Sequence, residues 1–157
     1  MFDLVNGLPV HPLVVHGVVV LLPLAVVGTL AIAVRPSWRI RYGHLVVACA
    51  AVATALIPVA TSSGEELEHR VGEPGRHAAL GEQLIWFSLA LLATSAVLVW
   101  LARRGPAGPS GERSSLVVRV VAALAVVAAL AAGFQVYRVG DSGAQAAWGD
   151  QVASDGP

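Results

Sequence analysis

The sequence has 157 residues, 56% of them hydrophobic and 13% charged, with ten arginines balanced by ten acidic residues and a mean hydropathy of +0.72. A soluble domain is about a quarter charged, so this composition excludes an ordinary soluble globular fold. The balanced charge excludes a basic field for nucleic acid, and the single cysteine, Cys49, excludes a disulfide-stapled secreted domain.

Four stretches carry no formal charge: 4–34, 42–64, 83–102 and 120–137. A bilayer core needs about 20 mostly apolar residues as a helix, and each stretch is long enough or close to it. The expected fold is all-α, a four-helix transmembrane bundle forming one integral membrane domain over 1–157. Its helices fall at about 12–34, 42–61, 79–101 and 115–137, with a polar tail over 138–157.

Helix 1 has Pro12 in its first turn, where the missing N–H costs nothing, and Pro23 inside it as an expected kink. Its leader, MFDLVNGLPVH, carries Asp3 and no arginine, and the apolar run is longer than a signal-peptide core. It reads as an uncleaved spanning helix. Helix 2 ends near Thr61, with Pro58 bending its last turn. Ser62-x-x-Glu65 and Ser63-x-x-Glu66 then fit a capping box, which predicts a separate short helix over 64–71 before Gly72, Pro74 and Gly75. Helix 3 has its apolar core over 84–101, with helical sequence beginning near Arg76. Helix 4 carries a stripe of small residues, Ala125, Ala129 and Gly133, of the kind that lets helices approach closely in lipid. The segment GPAGPSG, 105–111, reads as a flexible linker.

The arginines set an orientation. Arg35, Arg39 and Arg41 lie between helices 1 and 2, and Arg103, Arg104, Arg113 and Arg119 lie between helices 3 and 4 or enter helix 4. The other side holds only Arg70, Arg76 and Arg138. The positive-inside rule then puts both termini and the 62–83 loop outside. Trp38, Tyr42 and Trp100 fall at the inner boundary, and Trp86 and Tyr137 at the outer. The absence of lysine and the wealth of Ala, Val and Gly suit a GC-rich bacterial source, hence a multi-pass protein of a bacterial plasma membrane.

That topology sorts the five histidines. His11, His16, His69 and His77 converge on the outer face, while His44 stands alone at the inner end of helix 2. Imidazole can ligate haem or a metal and can carry protons near neutral pH. His16 lies about 6 Å into helix 1, and an ionisable group inside a span is costly. His11 and His16 are five residues apart, about 140° around a helix, so they do not share a face. His77 precedes Glu82 by five residues, and that carboxylate could orient an imidazole or relay a proton. His69 follows Glu65 and Glu66 at helical spacing, a pair that could ligate metal but on a polar surface helix is more often only solvated charge. The chain contains no HExxH, GxSxG, P-loop or cysteine cluster, so no motif supports hydrolysis or phosphoryl transfer.

LPVHPLVVHG near the N-terminus, SGEELEHRVGEPGRHAALGE in the loop and YRVGDSGAQAAW after helix 4 together resemble the bacterial four-helix membrane proteins called domain of unknown function 2231. The resemblance covers nearly the whole chain, and the HPLxxH opening is its most distinctive part. The family's histidine pattern is similar to that of small four-helix b-type cytochromes, which implies haem b. Its motif histidines correspond to His11, His16 and His77. One position departs: Asp141 stands in GDSGAQAAW where the family often carries histidine.

Three readings stay open. The first is an outer-face haem b or metal site, with His16 and His77 as ligands, His11 or His69 as alternates and Glu82 behind them, serving electron transfer or redox sensing with a membrane partner. The second is a cofactor-free scaffold, a homo-oligomer or a subunit of a larger membrane complex. The third is a carrier of protons or a small solute that uses the same histidines.

Overall fold

The computed structural model of the chain describes residues 4–5, 8–71, 75–104 and 111–154. Two short strands, β1 (Leu4–Val5) and β2 (Leu8–Pro9), pair antiparallel ahead of the helices. Four helices follow: α1 (Val10–Val34), α2 (Pro36–Val71), α3 (Arg76–Arg104) and α4 (Gly111–Ser154). All four are long and apolar enough to cross a membrane. They run alternately up and down in the cyclic order α1–α2–α3–α4, with α1 and α3 facing across the diagonal.

Several expected helix ends change, and α2 already starts at Pro36, inside the loop expected up to residue 41. The separate short helix over 64–71 is instead the last two turns of α2. Ser63 does not cap a new helix, because its Oγ donates back to the Ala60 carbonyl at 3.1 Å, as Thr61 Oγ1 does to the Pro58 carbonyl at 3.0 Å. Such back-bonding lets a hydroxyl sit inside a continuous helix. Likewise the polar tail is helical as far as Ser154, so α4 runs well past the span expected at 115–137. Ser142 Oγ bonds back to the Val139 carbonyl at 3.0 Å, and Gln145 Nε2 donates to Asp141 Oδ2 at 2.9 Å. Helix therefore continues through Gly140 and Gly143. Gly75, at φ 53°, makes the left-handed turn into α3.

At the arginine end of the bundle a single residue, Arg35, separates α1 from α2, and Pro36 opens α2 with φ already helical. The last carbonyls of α1 have no helical partners of their own. The buried Arg39 supplies them, with Nε 2.8 Å from the Ile32 oxygen and Nη2 2.7 Å from that of Ala33. A cation at a helix C-terminus also meets the negative end of the dipole. Arginines stack on aromatic rings around the same end, with Arg104 3.7 Å from the Trp100 ring centre and Arg35 5.0 Å from that of Trp38.

The outward faces of the helices are apolar, with Val20, Val27, Leu24, Leu124, Val127 and Leu130 among the exposed side chains. That surface suits lipid and would aggregate in water. The inward faces are small: Ala25, Ala50, Ala53, Ala125, Ala129 and Ala132 are buried. Ala125 and Ala129 of the small-residue stripe are fully covered, and Gly133 meets Val26 of α1. The stripe is thus a packing face toward the rest of the bundle. Among the described residues a hydrogen bond crosses this interior between α2 and α3, joining Thr54 Oγ1 to Ser88 Oγ.

The buried positions recur at fixed offsets. On α1 and α3, Val18, Leu22, Ala25, Thr29 and Ile32 are matched 66 residues later by Leu84, Ser88, Leu91, Ser95 and Leu98, all buried. On α2 and α4, Val46, Ala50 and Ala53 are matched 79 residues later by Ala125, Ala129 and Ala132. The molecule is two similar helical hairpins, α1–α2 and α3–α4, packed face to face.

Candidate functional site

A cavity of about 510 Å³ opens at the histidine end, bounded by all four helices. Its walls are mainly apolar or small: Val15, Val18, Ile57, Leu84 and Val136, with Gly64, Gly81, Gly140 and Gly143. The polar groups that reach it include His11, His77, Glu65 and Glu82. An apolar cavity of this size with a few convergent polar groups is the usual form of a small-molecule or cofactor site.

His11 stands in the first turn of α1, so its side chain lies beside the far end of α2. There Nδ1 is 2.8 Å from the Ala60 carbonyl oxygen and 3.4 Å from Ser63 Oγ. His77, in the first turn of α3, repeats this against α4: Nδ1 is 3.0 Å from the Val139 oxygen and 3.4 Å from Ser142 Oγ. A carbonyl oxygen only accepts, so Nδ1 must carry the proton in both rings. In the neutral ring Nε2 is then a lone pair. Neither Nε2 has a hydrogen-bond partner among the described residues. Each ring also rests against a glycine one turn beyond its carbonyl. A Cβ on Gly64 would sit 3.1 Å from His11 Cε1, and one on Gly143 would sit 3.0 Å from His77 Cε1.

The structure sorts the expected site residues. His77 and His11 line one cavity from diagonally opposite helices, and Glu82 lines it too. His16, expected as a principal ligand, is exposed and hydrogen-bonded through Nδ1 to the Pro12 carbonyl of its own helix. It does not line the cavity, because the 140° offset that separates it from His11 turns it away. The side chain of His69 lies outside the described residues. His44 is exposed on α2 near the arginine end. Asp141 is exposed and bonded to Gln145 instead of entering the cavity. Among the described residues no group of three or more His, Cys, Asp or Glu is disposed to hold a metal ion. Among the described residues the nitrogen donors in the cavity are the imidazoles of His11 and His77, with the carboxylates of Glu65 and Glu82 also lining it.

Sequence reasoning passed over Ser63, Gly64, Ser142 and Gly143. The signal that could have found them is a repeat: a histidine at 11 and 77, then Ser-Gly at 63–64 and 142–143.

A bundle with four apolar helices and a histidine-lined cavity at its end has the form of a multi-span membrane protein with a ligand-sized site. The chain belongs to the family described as predicted membrane protein (DUF2231), whose model matches residues 7–156. No curated protein and no solved structure matches it significantly.

Proposed function

We propose that the cavity at the histidine end would take haem b, with His11 and His77 as the residues that would hold it, for exchange of single electrons with a membrane redox partner. The observation that carries this reading is the pair of imidazoles, each with Nδ1 donated to a backbone carbonyl and Nε2 left as a donor atom. That is the arrangement in which the second ring nitrogen fixes tautomer and orientation for a ligating histidine. The lining includes Gly64, Gly81, Gly140, Gly143 and several alanines, which leaves the walls thin, and the two imidazoles come from the diagonal helices α1 and α3. The bound group would supply reversible one-electron chemistry, with a potential set by its ligands, the neighbouring charge and burial. Glu65 and Glu82 place negative charge at the cavity wall, which favours the more positive oxidised state. The arginine distribution supports a histidine end on the non-cytoplasmic side.

The test is a reduced-minus-oxidised visible spectrum of the detergent-purified chain, produced with haem supply, together with iron analysis. The expected result is a low-spin b-type spectrum with one haem per chain, lost in His11→Ala and in His77→Ala and retained in His16→Ala. The absence of Soret and α bands, or survival of the low-spin spectrum in either substitution, would overturn the reading.

A further inference from the structure

We infer that Ser63–Gly64 and Ser142–Gly143 are paired histidine seats, positioning residues that hold His11 and His77 as Nδ1–H tautomers with Nε2 turned away from the supporting helix. In each seat the helix presents three things in one turn: a carbonyl, a serine three residues on and a glycine four residues on. The serine hydroxyl donates to the same carbonyl that the imidazole uses. Its lone pair then stands 3.4 Å from Nδ1, so the ring proton is shared between two acceptors. The glycine removes the side chain that would otherwise stand against the Cε1–Nδ1 edge. From the Cβ position at Gly64, Cε1 is at 3.1 Å and Nδ1 at 3.2 Å, while Nε2 is at 3.9 Å. From Gly143 the same atoms lie at 3.0, 3.1 and 3.6 Å.

Two other glycines of the same cavity show that this closeness is particular to the seats. Gly81 and Gly140 also line it, yet a Cβ on either would meet nothing within 4 Å. The glycines at 64 and 143 are where an imidazole touches helix backbone. The same arrangement recurring in both hairpins, in register with their buried positions, argues that the seat is a repeated unit and not an accident of one helix crossing.

The seats deepen the haem reading, because a fixed Nδ1–H···O=C bond orients a ligating ring and raises its basicity. They are tested without the cofactor. ¹⁵N spectra of the imidazoles, recorded on the full chain produced without haem supply and held in micelles at alkaline pH, report the tautomer of each histidine. His11 and His77 should each be shifted toward the Nδ1–H form by roughly fivefold or more relative to an unbonded histidine, the shift that one net hydrogen bond sustains. Gly64→Ala should shift the His11 signals alone and Gly143→Ala those of His77 alone, with Gly81→Ala and Gly140→Ala moving neither. Where an alanine variant fails to fold by circular dichroism, Ser63→Ala or Ser142→Ala replaces it. These remove an acceptor without adding volume and should lower the tautomer ratio of the same ring. Wild-type rings that keep the tautomer ratio of an unbonded histidine, or seat variants that behave like the Gly81 and Gly140 controls, would overturn the inference. A chain that binds no haem but shows these tautomers would refute the proposed function and leave the seats standing.

Discussion

In the first hairpin the ring of His11 lies against Gly64 beneath the Ala60 carbonyl, and in the second the ring of His77 lies against Gly143 beneath that of Val139. Around these matching centres the two hairpins diverge. The first has Arg39 buried at its α1–α2 corner, whereas the corresponding position on α4 is Val118. Thr54 of the first reaches across to Ser88, and its counterpart on α4 is Gly133. Glu65 lines the cavity beside the first seat, where the second has Ala144. His16 on α1 answers to Glu82 on α3, and only the latter lines the cavity. What stays the same is the set of buried positions and the histidine contacts. What differs is the α1–α2 corner, the cavity mouth and one polar contact in the interior, where each hairpin meets a different neighbour.

The largest effect expected is the one that tests equivalence. If both histidines ligate from matching seats, His11→Ala and His77→Ala should abolish the low-spin spectrum to the same degree. A chain that loses it with one and keeps it with the other would break the comparison. Next comes the corner that only the first hairpin has. Arg39→Met keeps an apolar stem but removes two charge-assisted hydrogen bonds to the end of α1. It should lower stability by roughly 2–4 kcal/mol in a denaturant titration in micelles, whereas Val118→Ala should cost less. Smaller again is the polar link between hairpins. Thr54→Val and Ser88→Ala should show a coupling of roughly 0.6–1.7 kcal/mol in a double-mutant cycle, the range of interhelical hydrogen bonds in membranes. The smallest effect concerns the cavity mouth. Glu65→Gln should raise the midpoint potential by on the order of tens of millivolts, since it removes a negative charge that favours the oxidised state, as read by a redox titration. His16→Ala should leave both spectrum and potential unchanged.

Much of the architecture was legible in the chain. Four uncharged stretches bounded by arginines and acids mark four spans, because in lipid a backbone must satisfy its own hydrogen bonds and a charge is costly. Helix ends were harder to read. Ser62, Ser63, Gly140 and Gly143 all look like interruptions, but hydroxyls that bond back one turn keep α2 and α4 helical beyond the apolar stretches. The candidate site was half legible. Histidines sort to one end by topology, and the helical period already separates His11 from His16. Which of them enters the interior depends on how α1 is rotated against α2, and a uniformly apolar, Ala- and Val-rich helix carries almost no periodic signal to set that rotation.

Composition and charge placement by themselves determined that the chain is a four-helix membrane protein, since both follow from the free energy of apolar and charged groups in a bilayer. Only the tertiary structure decided that His11 and not His16 shares a cavity with His77, and that two Ser-Gly pairs far from either histidine hold them. Those contacts join residues 49 to 65 positions apart. They exist because antiparallel packing brings the first turn of one helix beside the last spanning turn of its neighbour, a relation that no local pattern encodes.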